Sequence, residues 1–270
     1  MNDLVKMPPF FVANKGERSA KVGLILSTAP ERCVVRFTGG CGHMSAADAS
    51  GLYELFVEAF VQADFKGAIL YGGTRMLRRD NPKIVVPGIT EIPPLIANRS
   101  KQVVSMGIVP RTSDLSFNEF GLIVSSEPGN DFFTIVHPLQ KEFLIVQSSV
   151  DVPANWDTEW QECVTIIESL RTYSKWQSVL ICYNGGEVTE RELLATAELG
   201  WPVMLVSGSG RTTDKYAQDE YFLAQHPSVL VVDKEVTAIR DGLIKLSGSI
   251  PRWMELRGTS DQNEKEKYVQ

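Results

Sequence analysis

Glycine recurs where short apolar runs end, flanked by hydroxyl, arginine and carboxylate residues, a mixture suited to holding anionic oxygen. The loop Phe37-Thr38-Gly39-Gly40-Cys41-Gly42-His43-Met44 follows a predicted strand and precedes a predicted helix. Uncovered amides at the start of such a helix, together with its positive dipole end, form an anion site. Neither GxGxxG nor GxxxxGK[ST] is present, so no familiar phosphate fingerprint fixes the ligand, and Gly39 and Gly40 also suit a simple tight turn. The loop Tyr71-Gly72-Gly73-Thr74-Arg75 repeats the theme, with Arg78 and Arg79 close behind. A guanidinium offers a fork of donors to phosphate or carboxylate, whereas the plain alternative is a solvated basic helix face.

The strongest local signal is Gly208-Ser209-Gly210-Arg211-Thr212-Thr213-Asp214, which joins a predicted strand Pro202 to Val206 to a helix entered near Asp214. Its small residues leave main-chain N–H groups open, and Ser209, Thr212 and Thr213 add hydroxyls for phosphate oxygens. Upstream lies Asn184-Gly185-Gly186-Glu187, followed by Thr189 and Glu192. Thr189 and Glu192 have the spacing of a reciprocal capping box. Equally, Gly185 and Gly186 could meet phosphate or ribose while Glu192 faces a pocket as hydroxyl acceptor, acid or base.

Other chemistry finds less support. His43, His137 and His226 are dispersed and form no metal-ligand spacing, so no metal site is expected. The Gly208-Ser209-Gly210 step lacks the spacing of a GxSxG nucleophile elbow. Trp156, Trp160, Trp176, Trp201 and Trp253 read as core or rim packing rather than a base-stacking platform.

The elements that must carry these loops read as an α/β fold. Strands are predicted at Val22 to Leu26, Cys33 to Phe37, Ala68 to Tyr71, Val103 to Ile108, Leu122 to Ser125, Phe143 to Val146, Val179 to Cys182, Val203 to Val206 and Val229 to Val232. Helical periodicity marks Ala46 to Ala63, Asp157 to Tyr173, Thr189 to Leu199, Asp214 to Ala224 and Lys234 to Leu246. Continuous apolar strands separated by amphipathic helices imply a mostly parallel, Rossmann-like sheet with helices on both faces. The stretch from about Asn98 to Gln147 is richer in strand and turn signals, with a turn at Pro128 to Asn130, and is expected as a β-rich edge or insertion. Pro93-Pro94 is expected to start or break a short helix. One domain over residues 1–255 is favoured, with a polar tail over 256–270.

Composition narrows the class. With 43% hydrophobic and 22% charged residues, the chain is an ordinary globular protein able to build a core. A net charge of -6 argues against direct nucleic-acid binding but leaves small anions open. The cysteines Cys33, Cys41, Cys163 and Cys182 form no CxxC pair, which fits a reducing compartment. No signal-peptide pattern spans Met1 to Val12 and no apolar run reaches membrane-spanning length, so a cytoplasmic protein without membrane insertion is expected.

On these four loops the chain resembles the SLOG superfamily, and within it the prokaryotic relatives of the cytosolic N-terminal region of melastatin-type TRP channels. The resemblance runs from about Val34 to Ile250 and is carried by Phe37-Thr38-Gly39-Gly40, Tyr71-Gly72-Gly73-Thr74-Arg75, Asn184-Gly185-Gly186-Glu187 and Gly208-Ser209-Gly210-Arg211-Thr212-Thr213-Asp214. The last is similar to a GSGRxAD loop, with Thr213 in place of alanine. Gly185, Gly186, Thr189 and Glu192 fall on positions of the PGGxGTxxE motif of LONELY GUY phosphoribohydrolases, while Asn184 and Val188 depart from it. The resemblance implies a Rossmann-like fold binding a nucleotide or nucleotide diphosphate sugar, with ADP-ribose, cyclic ADP-ribose or another NAD-derived molecule as the ligand class and no required cofactor. It implies a homo-oligomeric sensor in signalling or bacterial defence, acting through a separate effector protein. The Gly72 to Arg75 and Gly208 to Asp214 loops are expected on phosphates, with Glu192 or Asn184 on a ribose. The alternative it carries is a nucleotide N-glycosidase with Glu192 as the catalytic group.

Overall fold

The computed structural model describes residues 10–12, 22–40, 46–126, 130–140, 142–146 and 153–248, with backbone alone at 10–12 and 46–49. Cys41 to Met44, the turn residues Pro128 and Gly129, and the expected tail over 256–270 lie outside the described residues. In chain order the first half comprises β1 (Phe10–Val12), α1 (22–26), β2 (Cys33–Gly39), α2 (Ala46–Gln62), β3 (Ala68–Tyr71), β4 (Thr74–Arg78), β5 (Val85–Val86), α3 (Ile92–Arg99) and β6 (Val104–Pro110). There follow β7 (Ser116–Asn118), β8 (Gly121–Ser125), β9 (Phe132–Val136), β10 (Phe143–Val146), α4 (Trp156–Ser174), β11 (Gln177–Tyr183), α5 (Glu187–Glu198), β12 (Val203–Ser207), α6 (Arg211–Ala217), α7 (Glu220–Gln225), β13 (Val229–Asp233) and α8 (Val236–Ser247).

Eight parallel strands form the main sheet in the order β1-β10-β6-β3-β2-β11-β12-β13. Strand alternation sends Cys33, Val35 and Phe37 of β2 into a core with α2, α3 and α8, while Val34 meets the core packed by α1 and α4 on the opposite face. A third apolar cluster joins Leu180 and Cys182 of β11 to Leu193 and Ala197 of α5. Burial on both faces is why these strands read as continuous apolar runs. From β2 the chain builds outward through β3, β6 and β10, then returns to β11 and builds the other way through β12 and β13. The β2/β11 boundary is therefore a topological switch point, where adjacent loops diverge and leave a crevice beyond the strand ends.

The β-rich segment supplies a second sheet, antiparallel and five-stranded, in the order β5-β4-β9-β8-β7. It reaches back to Thr74, so Arg75 and Arg78 stand on a strand and not on the basic helix face considered above. β6 and β10, within the same expected segment, belong to the parallel sheet.

Two further expectations change, while that for Pro93-Pro94 holds. Residues 22–26 are helical, not extended. Val22 and Leu26 are fully buried but Leu24 is 72% exposed, a pattern that one helical turn produces and a strand would not, since a strand puts all three on one face. The predicted helix Asp214 to Ala224 is two helices, because Asp219 Oδ1 accepts from Phe222 N at 2.9 Å and starts α7 afresh. Pro93 and Pro94 occupy the first turn of α3, where a missing N–H costs nothing. Among the described residues, no helix is long and apolar enough to cross a membrane.

Candidate functional site

A cavity of ≈ 500 Å³ opens at the switch point. The ends of β2 and β11 come together there: a side chain at Gly39 would sit 2.4 Å from the Tyr183 carbonyl oxygen. The start of α5 lines one flank with Gly186, Glu187, Val188 and Thr189, and the small antiparallel sheet contributes Thr74, Met76 and Thr134 opposite. Phe37, Gly72, Ile89, Thr90 and Trp156 also line it. Trp156 and Glu159 are held there by the α4 cap, in which Asn155 Oδ1 accepts from Thr158 N at 3.0 Å.

Arg36 forms the floor. It lies on the same face of β2 as Thr38, at 4% exposure, in an otherwise apolar strand. Its Nε donates to Glu192 Oε1 at 2.8 Å, and its Nη2 donates to Glu159 Oε2 at 3.0 Å. Nη1 lies 2.9 Å from Glu159 Oε1 but without hydrogen-bond alignment, and has no other hydrogen-bond partner among the described residues. Burial by itself would lower the Arg36 pKa; the fields of the Glu159 and Glu192 carboxylates reverse the sign and hold it well above its ordinary value. Burial raises the Glu159 carboxyl, an effect Arg36 opposes and Glu192 reinforces. Cys163 Sγ donates to Glu159 Oε1 at 3.3 Å, and burial pushes that thiol far up, so it serves as a neutral donor.

The opposite wall is receptive to anions. Gly186 is the N-cap of α5 and no side chain caps that end, so the first amides of the helix have no side-chain acceptor. The capping box expected from Thr189 and Glu192 does not form: Thr189 lies inside the first turn with its hydroxyl 3.5 Å from that of Thr38, and Glu192 turns to Arg36. Arg211, exposed and without a carboxylate partner among the described residues, reaches over from β12–α6 to this end. Its Nη2 would be 2.9 Å from a side chain at Gly186, and its Nη1 3.4 Å from one at Gly40.

Most other residues of the two C-terminal loops hold the loops to each other. Asn184 N donates to Ser209 Oγ at 2.9 Å, and Thr213 donates to the Asn184 carbonyl through both N and Oγ1, at 3.0 and 2.9 Å. Thr212 Oγ1 donates to the Gly186 carbonyl at 3.3 Å, and Ser209 N donates to Asp214 Oδ1 at 3.1 Å. Asn184, Gly185, Gly208 and Gly210 have positive φ and set the path of this double loop.

Of the residues singled out in the sequence, Gly39, Gly40, Gly72, Thr74, Gly186, Glu187, Thr189, Glu192 and Arg211 line the cavity. Gly73, Arg75, Asn184, Gly185, Gly208, Ser209, Gly210, Thr212, Thr213 and Asp214 are not in its lining. Gly73 packs backbone to backbone, its φ of 61° bringing it so near Gly107 that a side chain would stand 2.7 Å from Gly107 Cα. Arg75 is engaged elsewhere: Nη2 donates to Glu91 Oε2 at 2.6 Å and Nε to Glu91 Oε1 at 3.0 Å. His137 completes that cluster. Its Nδ1 accepts from Leu139 N at 3.1 Å, which leaves Nε2 to donate to Glu91 Oε2 at 3.0 Å.

Arg36, Glu159 and the position of Trp156 at the cavity were missed in the sequence. Arg36 carried a usable signal, since a charge inside a short apolar strand must have buried partners. No group of three or more metal-ligating side chains occurs among the described residues.

These features define an α/β, Rossmann-like protein with its crevice at the carboxyl ends of the central strands. Residues 134–242 match the family model described as SLOG in TRPM, prokaryote, so this stretch of the chain is similar to that family. The matched stretch contains the Asn184 and Gly208 loops, whereas the Gly39 and Gly72 loops precede it. No curated protein matches the chain. Among solved structures, TM1055 is 16% identical over 78% of this chain and 98% of that one, with a TM-score of 0.47. The molybdenum cofactor carrier protein of Chlamydomonas reinhardtii is 13% identical over 80% of this chain and 98% of its own, with a TM-score of 0.47. The molybdenum cofactor binding protein of Rippkaea orientalis is 16% identical over 80% of this chain and 96% of its own, with a TM-score of 0.45.

Proposed function

We propose that the chain binds a phosphate-bearing nucleotide or nucleotide diphosphate sugar in the cavity at the β2/β11 switch point. ADP-ribose, cyclic ADP-ribose and NAD form the ligand class to test first. The protein then works as a sensor, most simply as a homo-oligomer, whose ligand-dependent change is passed to a separate effector protein. Residues 1–255 act as one ligand-binding unit in this reading. The observation that carries it is Arg211, whose guanidinium has no carboxylate partner among the described residues and stands beside the side-chain-uncapped start of α5 over a nucleotide-sized space. An oxyanion there would gain charge-assisted hydrogen bonds from both.

Phosphate contact belongs to Arg211, the α5 amides and the turns at Gly39-Gly40 and Gly72. Ser209, Thr212, Thr213 and Asp214 act behind them by fixing the loop that carries Arg211. Glu192 is 1% exposed and held by Arg36, an arrangement for binding rather than attack, so turnover is not part of this reading. Calorimetry with ADP-ribose, cyclic ADP-ribose, NAD and AMP tests it. Binding of at least one, weakened tenfold or more by Arg211→Ala, is expected; silence from all four removes the assignment.

A further inference from the structure

We propose that the outer side of α2 and α3 is the interface through which two copies of this chain pair about a two-fold axis. This gives the homo-oligomer of the reading above a surface, and rests on that part of the reading and not on the ligand. A groove of ≈ 950 Å³ runs along α2 between α3 and α8 and shares no residue with the ligand cavity. Its bed is apolar and half-buried, made by Leu55 and Val57 of α2, Leu95 of α3 and Val236 of α8. Val61, 44% exposed, adds apolar surface near the end of α2. Apolar surface gathered in this way and edged by charge marks a site of association.

Two features select a second copy as the occupant. The first is charge. Glu54 and Glu58 stand exposed on the α2 rim, one helical turn apart, and Arg99 stands exposed on the α3 rim. Glu54 and Arg99 have no ion-pair partner among the described residues, and Glu58 takes only a hydrogen bond from Gln62 Nε2 at 2.9 Å. A two-fold axis lays the acidic rim of each copy on the basic rim of the other, so both pairings form at once. The second feature is Gly51, inside α2 and exposed on the same helix face as Glu54 and Glu58. Glycine within a helix is destabilising relative to alanine. A Cβ at this position would meet nothing within 4 Å, so no packing inside the chain calls for its absence. A second helix laid against the α2 backbone does call for it, because the missing side chain lets the two approach closely.

Charge reversal tests this on the full chain by sedimentation velocity. The unaltered chain is expected to sediment as a dimer at micromolar concentration. Glu54→Lys combined with Glu58→Lys sets two ammonium groups against Arg99 of the second copy, and Arg99→Glu sets a carboxylate against two others. Each variant alone is expected to weaken the dimer about 100-fold or more, since like charges across an interface repel. In an equimolar mixture of the two variants every acidic rim again meets a basic one, so a heterodimer is expected within about tenfold of the original affinity. A misfolded variant could not produce that rescue. A monomeric unaltered chain, a dimer that survives both reversals, or a mixture that stays monomeric while circular dichroism shows both variants folded would each overturn the interface. Calorimetry with the ligands above is read on the unaltered chain, so loss of the dimer and loss of the ligand assignment are separate outcomes.

Discussion

Arg36 Nε donates to Glu192 Oε1 at 2.8 Å although the residues are 156 positions apart, and the bond ties β2 to α5 beneath the cavity. With Glu159 on its other side, Arg36 is the cation between two buried carboxylates. Arg36→Met would leave both uncompensated, and a loss of about 3–5 kcal/mol is expected from urea unfolding. Replacing all three with apolar residues of similar volume should restore most of that stability. The triple variant would then be folded but unable to bind. If Arg36→Met alone were as stable as the unaltered chain, the floor described here would be wrong.

Two buried glutamates should shift stability with pH in opposite directions. Burial tends to raise Glu91, but hydrogen bonds from His137 and Arg75 outweigh it and hold the carboxyl below its ordinary value of 4.5. Its contribution is present above the unfolded value and lost as pH falls through the folded one. Glu91→Gln should therefore cost about 1–3 kcal/mol at neutral pH, with the deficit shrinking below pH 4.5.

Glu159 behaves in reverse. Burial raises its carboxyl above 4.5, so the favourable contribution is complete below that value and lost as pH rises through the folded pKa. Relative to the unaltered chain, Glu159→Gln should gain stability between acid and neutral pH. Paired urea titrations at pH 4 and pH 7 read both signs, and parallel behaviour of the two variants would contradict the assigned environments.

The sequence displayed the scaffold better than the floor. Strands β11, β12 and β13 and their intervening helices were readable because each is a short apolar run followed by an amphipathic period, a local property. Residues 22–26 misled because five apolar-rich positions fit either a strand or one helical turn, and only the exposure of Leu24 decides between them. The glycines of the four loops were visible as types, and several of the singled-out residues line the cavity. What the loop composition could not tell was which polar residues face outward. Ser209 and Asp214 look as available as Arg211 until the fold brings Asn184 beside them. Arg36 depends on Glu159 and Glu192, and pairing across 123 and 156 positions leaves no periodicity to read.

Gly73 shows a glycine held by packing. Its φ of 61° disfavours any other residue, and an added Cβ would stand 2.7 Å from Gly107 Cα in the adjacent strand. Neither backbone can retreat without breaking the β3–β6 pairing of Tyr71 with Gly107. Gly73→Ala is expected to lose about 2–4 kcal/mol, read as a fall in the thermal midpoint. An unchanged midpoint would show that the two strands do not approach as described.

Gly186→Ala separates ligand contact from folding. The backbone at Gly186 is extended, with φ of -138° and ψ of -152°, so alanine introduces no strain. An added Cβ would lie 2.9 Å from Arg211 Nη2, which is the end of a flexible, exposed side chain and can swing away. The substitution should therefore leave the thermal midpoint within about 2 °C while displacing the guanidinium from the cavity mouth. Arg211→Ala should behave alike, because the side chain has no ion-pair partner to lose among the described residues. If Arg211 holds the phosphate, both variants should weaken binding about tenfold, and the double variant little more than either alone, since each removes the same contact. Additive losses would mean that Gly186 is needed for its own approach to the ligand, with the α5 amides and not Arg211 as the principal anion contact.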